Sequence, residues 1–297
     1  MLIIKSFVKR KLNIAILAGI AGVVFASYTS DNFSSAPFPP LVLVSEGQFI
    51  SGSSNEEKRI ANELDKYLYG HHTEKTQRII SIESDQKLSY LDNYLIMTTP
   101  VTIKQYSSFI EDTGYKTPNI DLKTWLSYGS EYSYNSTRRF AWINDIPPPN
   151  RGDHPVVLVS LVDAKNYTNW LSNKTGRNFR LPTALEWEKA ARGKSGQTFP
   201  WGMNYDPTLL NSADLGPVDT TPVGLFPRGA SPYGMLDAAG QVLEWTSSNI
   251  TNRGNIVKGG SWNSKGCGTC RPAMEHIEPG DKKHILIGFR LIDAGNS

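Results

Sequence analysis

Cysteine is nearly absent, with 2 residues in a chain of 297. That excludes a disulfide-dense mini-protein, and a chain of this length buries an adequate core without such staples. Histidine is sparse as well, at five. His71 and His72 are adjacent, His154 precedes a proline, and His276 and His284 follow the cysteines in the pattern Cys-x2-Cys-x5-His-x7-His. That spacing matches no usual zinc finger. There is no Gly-x-Ser-x-Gly elbow, no Gly-Lys-Ser/Thr phosphate loop, no dinucleotide fingerprint and no His-Glu-x-x-His helix, so four common site chemistries are missing. A Lys/Arg-rich run is lacking too. The formal charge of +3 owes four positive charges to Lys5, Lys9, Arg10 and Lys11, and the rest of the chain has 27 basic against 28 acidic residues. A near-neutral body excludes nucleic acid as the main partner.

Long apolar runs are limited to one. Leu12 to Ala26 is a 15-residue apolar stretch behind a basic start, closed by Val24-Phe25-Ala26 and polar Ser27. This is the pattern of a secretory signal peptide over residues 1–26. As a helix it reaches about 22 Å, short of a hydrocarbon core of roughly 30 Å. The expected destination is therefore the periplasm or the exterior, with no membrane span after cleavage. An uncleaved anchor is the alternative. Residues 27–40 are rich in Ser and Pro and read as a linker, which leaves 41–297 as one domain.

Within that body, Leu41 to Ser51 alternates like a strand or hairpin. A helix is expected over Asn55 to Tyr69, capped by Ser54 and stopped at Gly70. Three more follow: Thr102 to Gly114; Ser160 to Gly176, burying Leu161, Ala164, Tyr167, Trp170 and Leu171; and Thr183 to Gly193, opened by the capping box Thr183-x-x-Glu186. From Gly196 to Gly280 helical periodicity vanishes, and short apolar pieces stand between Gly, Pro, Asn and Asp clusters. Long ordered loops of this kind build sites or bind ions.

The informative feature is a series of phrases in fixed order: Thr99-Pro-Val-Thr102, His154-Pro-Val-Val157, Arg180-Leu-Pro-Thr183 leading to Glu186-Trp187, Phe199-Pro-Trp-Gly202, Pro222-Val-Gly224, Tyr233-Gly-Met-Leu-Asp237 leading to Gly240-Gln-Val-Leu-Glu-Trp245, Gly259-Gly-Ser-Trp262, and Gly288-Phe-Arg-Leu291. Together they resemble the formylglycine-generating enzyme family, also called sulfatase-modifying factors, over roughly residues 40–292. The resemblance implies an α+β, C-type-lectin-like fold with short helices, short strands and long ordered loops. It also implies structural calcium, held around Gln241 and Glu244 and around Asn211 with Asp214 or Asp219. Gln241 stands where the family has Asn. From the residues alone, Glu244 between Leu243 and Trp245 needs a partner, and Arg290, Arg271 or a cation could serve.

The resemblance breaks at the family's copper site. Its two copper-binding cysteines fall on Ser264 and Thr269 here, while the cysteines present are Cys267 and Cys270. Export favours a local disulfide over a redox dithiol or a Cu(I) site.

Three functions follow. The first is an exported maturation enzyme resembling the periplasmic members in pyoverdine siderophore biosynthesis, oxidising or tautomerising a small-molecule or peptide precursor in the cell envelope. Its pocket would hold Ser261, Cys267, Cys270, Glu275 and His276 as catalytic candidates, with Trp262 and Arg271 binding substrate. Glu275 and His276 are the acid/base pair nearest the loop. The second is a non-catalytic envelope module, such as a type VI secretion regulator, meeting a protein partner through the aromatic segment Asn119 to Pro149. The third is a copper-dependent thiol oxidase with a shifted metal site.

Overall fold

The computed structural model describes residues 38–69, 80 and 83–295, all within one unit, Ser35–Ser297. The signal segment, most of the linker, His71, His72 and the helix stop at Gly70 lie outside the described residues. No helix among those described is long and apolar enough to cross a membrane.

Leu41 to Ser51 forms two strands, β1 (Leu41–Val44) and β2 (Gly47–Ser51), which do not pair as a hairpin. Gly47, the first residue of β2, has a φ of 123° and turns the chain from one sheet into another. Helix α1 (Asn55–Tyr69) follows, capped as its sequence predicts by Ser54, whose hydroxyl accepts from the Glu57 N–H. Strands β3 (Lys87–Leu91) and β4 (Tyr94–Met97) come next. The first sheet has the order β1-β4-β10-β5, and β2 pairs with β3 alone.

Helices α2 (Ile103–Thr113), α4 (Leu161–Thr175) and α5 (Ala184–Arg192) each begin with a reciprocal capping box, at Thr102/Gln105, Ser160/Asp163 and Thr183/Glu186. Gly114 and Gly176 close the first two in the left-handed region, which costs glycine nothing. Their apolar faces enclose Tyr106, Phe109, Tyr167 and Phe289. Trp170 is only half-buried, because its indole N–H reaches out to Asp112 at 3.0 Å. A short helix, α3 (Leu122–Ser127), sits in the aromatic segment.

Beyond Gly193 the chain is loop, single-turn 3-10 pieces and short strands, in line with the loss of helical period. Strands β6 (Leu243–Ile250), β7 (Gly254–Lys258), β8 (His276–Glu278) and β9 (Ile287–Gly288) form a sheet ordered β8-β7-β6-β9. Strand β5 is Phe179–Arg180, and β10 (Ile292–Asp293) lies between β4 and β5. Trp187 and Trp245 are fully buried, as expected of indoles at these positions.

Buried charge ties the pieces together. The Arg192 guanidinium, fully buried, binds Glu57 at 2.5 Å and Glu188 at 3.1 Å, and donates to the carbonyls of Gly52 and Gly196 at 2.7 Å. Arg192, Glu57 and Glu188 are thus met by opposite charge and hydrogen bonds, as burial demands, whereas the fully buried Lys189 is held by the carbonyls of Gly47 and Leu91.

Candidate functional site

The loop after β7 carries the site. Gly259 and Gly260 have φ values of 101° and 70°, which a side chain would oppose. A Cβ on Gly260 would also stand 2.6 Å from Cys270 Sγ. This close approach lets the chain fold the Cys267–Cys270 loop directly under Ser261. The two cysteines are joined as a disulfide, and both are wholly buried among Phe199, Leu210 and Ala239. Neither sulfur therefore serves as a thiolate for copper or as an exposed nucleophile in this state, which corrects their assignment as catalytic candidates.

Above the disulfide lies a cleft of about 1150 Å³. Gly260, Ser261, Asn263, Ser264, Lys265, Gly268 and Thr269 line it from the loop after β7, and Glu275 to Glu278 from the edge strand β8 and the residue before it. Tyr128 to Tyr132 line it from the aromatic segment, and Lys282 and His284 from the chain leading to β9. Of the expected residues, Ser261, Glu275 and His276 thus share one cleft. Ser261 donates to Asn263 Oδ1 at 2.7 Å and its backbone N–H donates to Ser264 Oγ at 3.2 Å. His276 approaches the Thr269 carbonyl at 3.4 Å through Nε2. Both Glu275 and His276 are half-buried, open to a ligand while leaning on the protein.

Two expected binding residues do not line the cleft. Trp262 is fully buried, stacked on Phe140 at 6.1 Å and met edge-on by Tyr132 at 5.6 Å. Arg271 is fully buried in an ion pair with Glu83 and donates to Ser53 Oγ at 3.0 Å and to the Gly268 carbonyl at 2.8 Å. It braces the disulfide turn and lies outside the cleft lining.

The tryptophans of the aromatic segment turn inward, while Leu122, Leu126, Ile143 and Ile146 of the same segment stay exposed. Trp125 and Trp142 are buried, and Trp125 stacks on His284 at 4.9 Å. The Tyr128 hydroxyl accepts from the Lys283 N–H at 3.1 Å. The segment packs inward and builds a cleft wall. Sequence reading missed this wall, together with Lys265, Lys282 and His284 as cleft residues. The clustered aromatics were the available signal, and their inward direction was not, because it depends on docking against residues 150 positions further on.

Most of the side-chain oxygens expected to hold calcium are engaged with the protein. Glu244 takes Arg290 Nε at 2.6 Å, Arg290 Nη2 at 2.7 Å and the Trp187 indole N–H at 2.8 Å. Asp214 accepts from the Tyr205 hydroxyl and from the Gly266 N–H. Burial raises the Asp219 carboxyl, but Arg151, bound through two nitrogens, outweighs this and holds it below the usual range. Asn211 Oδ1 is buried without a partner. Calcium takes six to eight oxygens, and among the described residues no group of three acidic, His or Cys side chains could hold a metal. The residues present do not fit the ion.

A family model described as sulfatase-modifying factor enzyme 1-like domain matches residues 28–294. The hercynine oxygenase of Mycolicibacterium smegmatis is 28% identical over 249 residues, covering 71% of this chain and 56% of that protein. The formylglycine-generating enzyme of Mycobacterium tuberculosis is 32% identical over 262 residues, covering 65% of this chain and 85% of that one. PvdO from Pseudomonas aeruginosa superposes with a TM-score of 0.65 over 86% of this chain and 95% of its own, at 21% identity, a likeness of fold. The chain spans about half the length of the hercynine oxygenases it matches. With a match across nearly the whole described body, this α+β chain belongs to the sulfatase-modifying factor enzyme 1-like family.

Proposed function

We propose that the protein is an exported maturation enzyme, acting in the cell envelope on a siderophore or peptide precursor by acid–base chemistry in the cleft. One observation carries the reading. Glu275 and His276 share a cleft with Ser261, Ser264 and Thr269, and these last two occupy the places where the family's copper thiols would be. Hydroxyls hold and orient a substrate by hydrogen bonds, whereas a carboxylate and an imidazole move protons near neutral pH.

Both oxidation and tautomerisation of an activated precursor begin with loss of a proton from carbon. In this reading His276 serves as the base and Glu275 as the group that returns a proton to the substrate. In tautomerisation the proton removed is replaced at another atom, and the mass is unchanged. In oxidation two electrons and two protons pass from the substrate to dioxygen as co-substrate, which becomes hydrogen peroxide, and the product is lighter by two hydrogens. The relatives named oxygenase and formylglycine-generating enzyme support an oxidative setting for the family. The buried disulfide argues against copper-dependent thiol oxidation by this chain.

The test compares envelope extracts of a wild-type strain and a deletion strain by mass spectrometry. Accumulation of a precursor in the deletion strain, consumed on adding purified protein but not the His276→Gln variant, is the expected result. Identical extracts would sink the proposal.

A further inference from the structure

We infer that Gln241 does by hydrogen bonding what calcium does in the family pattern, so that this protein holds its loops together without the metal. The resemblance places a calcium ligand at Gln241 and another at Glu244. The structure places neither oxygen where a cation could reach it.

Gln241 is wholly buried, with a φ of 60°. Its side-chain carbonyl accepts from Asn211 Nδ2 at 2.9 Å and from the Thr221 N–H at 3.0 Å. Its amide nitrogen donates to the Thr221 carbonyl and to Thr221 Oγ1, both at 3.0 Å. A carboxamide has two lone pairs and two N–H groups, so its capacity is filled. The orientation is fixed as well, since exchanging oxygen and nitrogen would oppose donor to donor at the Thr221 N–H. A dication beside this oxygen would face two N–H dipoles pointing the same way.

The backbone completes the clasp. The Gln241 N–H donates to the Asn211 carbonyl at 2.8 Å, and the Trp262 N–H donates to the Gln241 carbonyl at 3.0 Å. One residue therefore joins the loop at Asn211, the loop at Thr221 and the Gly-Gly-Ser-Trp floor of the cleft. Asparagine, one methylene shorter, could not span all these partners from the same backbone position. At Glu244 the obstacle is charge: the Arg290 guanidinium lies 2.6 Å away, and both residues are fully buried. Near Asn211 a single oxygen, Oδ1, is left over. The backbone of Gly216 is packed against it: a Cβ there would lie 2.4 Å from this oxygen. The Ser212 carbonyl, 2.5 Å from the same Cβ position, already accepts from the Gly216 N–H at 2.8 Å, so these oxygens do not make a calcium cage.

The test uses the purified protein, with calcium chloride and EDTA as the probes. The expected Tm of wild type is the same within about 1 °C in either, with no stoichiometric calcium by elemental analysis. Gln241→Asn in EDTA is expected to melt about 3 °C or more lower, as a loss of one to two internal hydrogen bonds dictates for a domain of this size. An EDTA-dependent fall of about 3 °C or more in wild type would overturn the inference. So would one calcium per chain, or an unchanged Tm for Gln241→Asn. If that variant does not fold, the wild-type melts and metal analysis decide alone.

Discussion

Arg290 grips Glu244 through two of its nitrogens, at 2.6 Å and 2.7 Å, in a place neither shares with solvent. The remaining guanidinium hydrogens go to the carbonyls of Met97, Thr98 and Leu236, so this one pair links β6 to the ends of β4 and of the Tyr233 loop. Glu244→Gln removes the countercharge and turns one acceptor into a donor facing donors. Breaking a buried pair in this way costs about 3–5 kcal/mol. Urea unfolding measures it, and the loss should be the same with or without calcium. A loss below about 1 kcal/mol would remove the pair from the core of the fold's stability.

Asp237 supplies a pH dependence of known sign. Its burial pushes the carboxyl up to about 6, with Glu244 adding to the rise and the Gly224 N–H and Arg290 opposing it. A folded-state value above the unfolded one favours the fold while the group is protonated, and that contribution fades as pH rises through about 6. Asp237→Asn keeps an acceptor for the Gly224 N–H and tolerates the φ of 53°. The variant should therefore be more stable than wild type at pH 8, by roughly 2–3 kcal/mol for a shift of about two units, and indistinguishable from it at pH 3.5. Denaturation at the two pH values checks this. An equal difference at both would show that ionisation is not the cause.

Replacing both Cys267 and Cys270 by Ser releases a very short loop, for which chain entropy gives about 2 kcal/mol of lost stability. A thiol reagent added to the folded wild-type protein should find nothing, and two thiols after reduction in denaturant. Reactive thiols in the folded, unreduced protein would return the cysteines to the list of catalytic groups.

His276→Gln and Glu275→Gln should each lower turnover by about 10²-fold or more, the usual scale for a lost acid–base group. Their melting temperatures should stay near that of wild type, because both side chains are only half-buried. Arg271→Met should do the reverse, unfolding the disulfide turn at the cost of stability. Normal turnover in both cleft variants would end the acid–base assignment.

Helices α2, α4 and α5 were legible because each carries its own punctuation: Thr102, Ser160 and Thr183 open them, and Gly114, Gly176 and Gly193 close them; the short α3, capped by Asp121, was not expected. Local chemistry decides such ends, so local sequence reveals them. The separation of β1 from β2 was not legible, since the partners of the two strands lie about 36 to 56 positions away. The site divides the same way. Ser261, Glu275 and His276 sit near one another in sequence and fall in one cleft, while Trp262 and Arg271, equally near, turn inward to Phe140 and Glu83. Sequence distance reports which loop a residue belongs to, and only packing decides which way it faces.

Strand β10 is inserted between β4 and β5, and its residues Ile292 and Asp293 pair with Ile96 and Leu95 on one side and with Arg180 and Phe179 on the other. The sheet that holds β1 is thus bridged by residues about 110 positions beyond β5 in the chain. A nascent chain that has reached β5 but not Ile292 has nothing to place between β4 and β5. Closure of this layer therefore depends on a remote segment, and pairing so distant in sequence is slow to form.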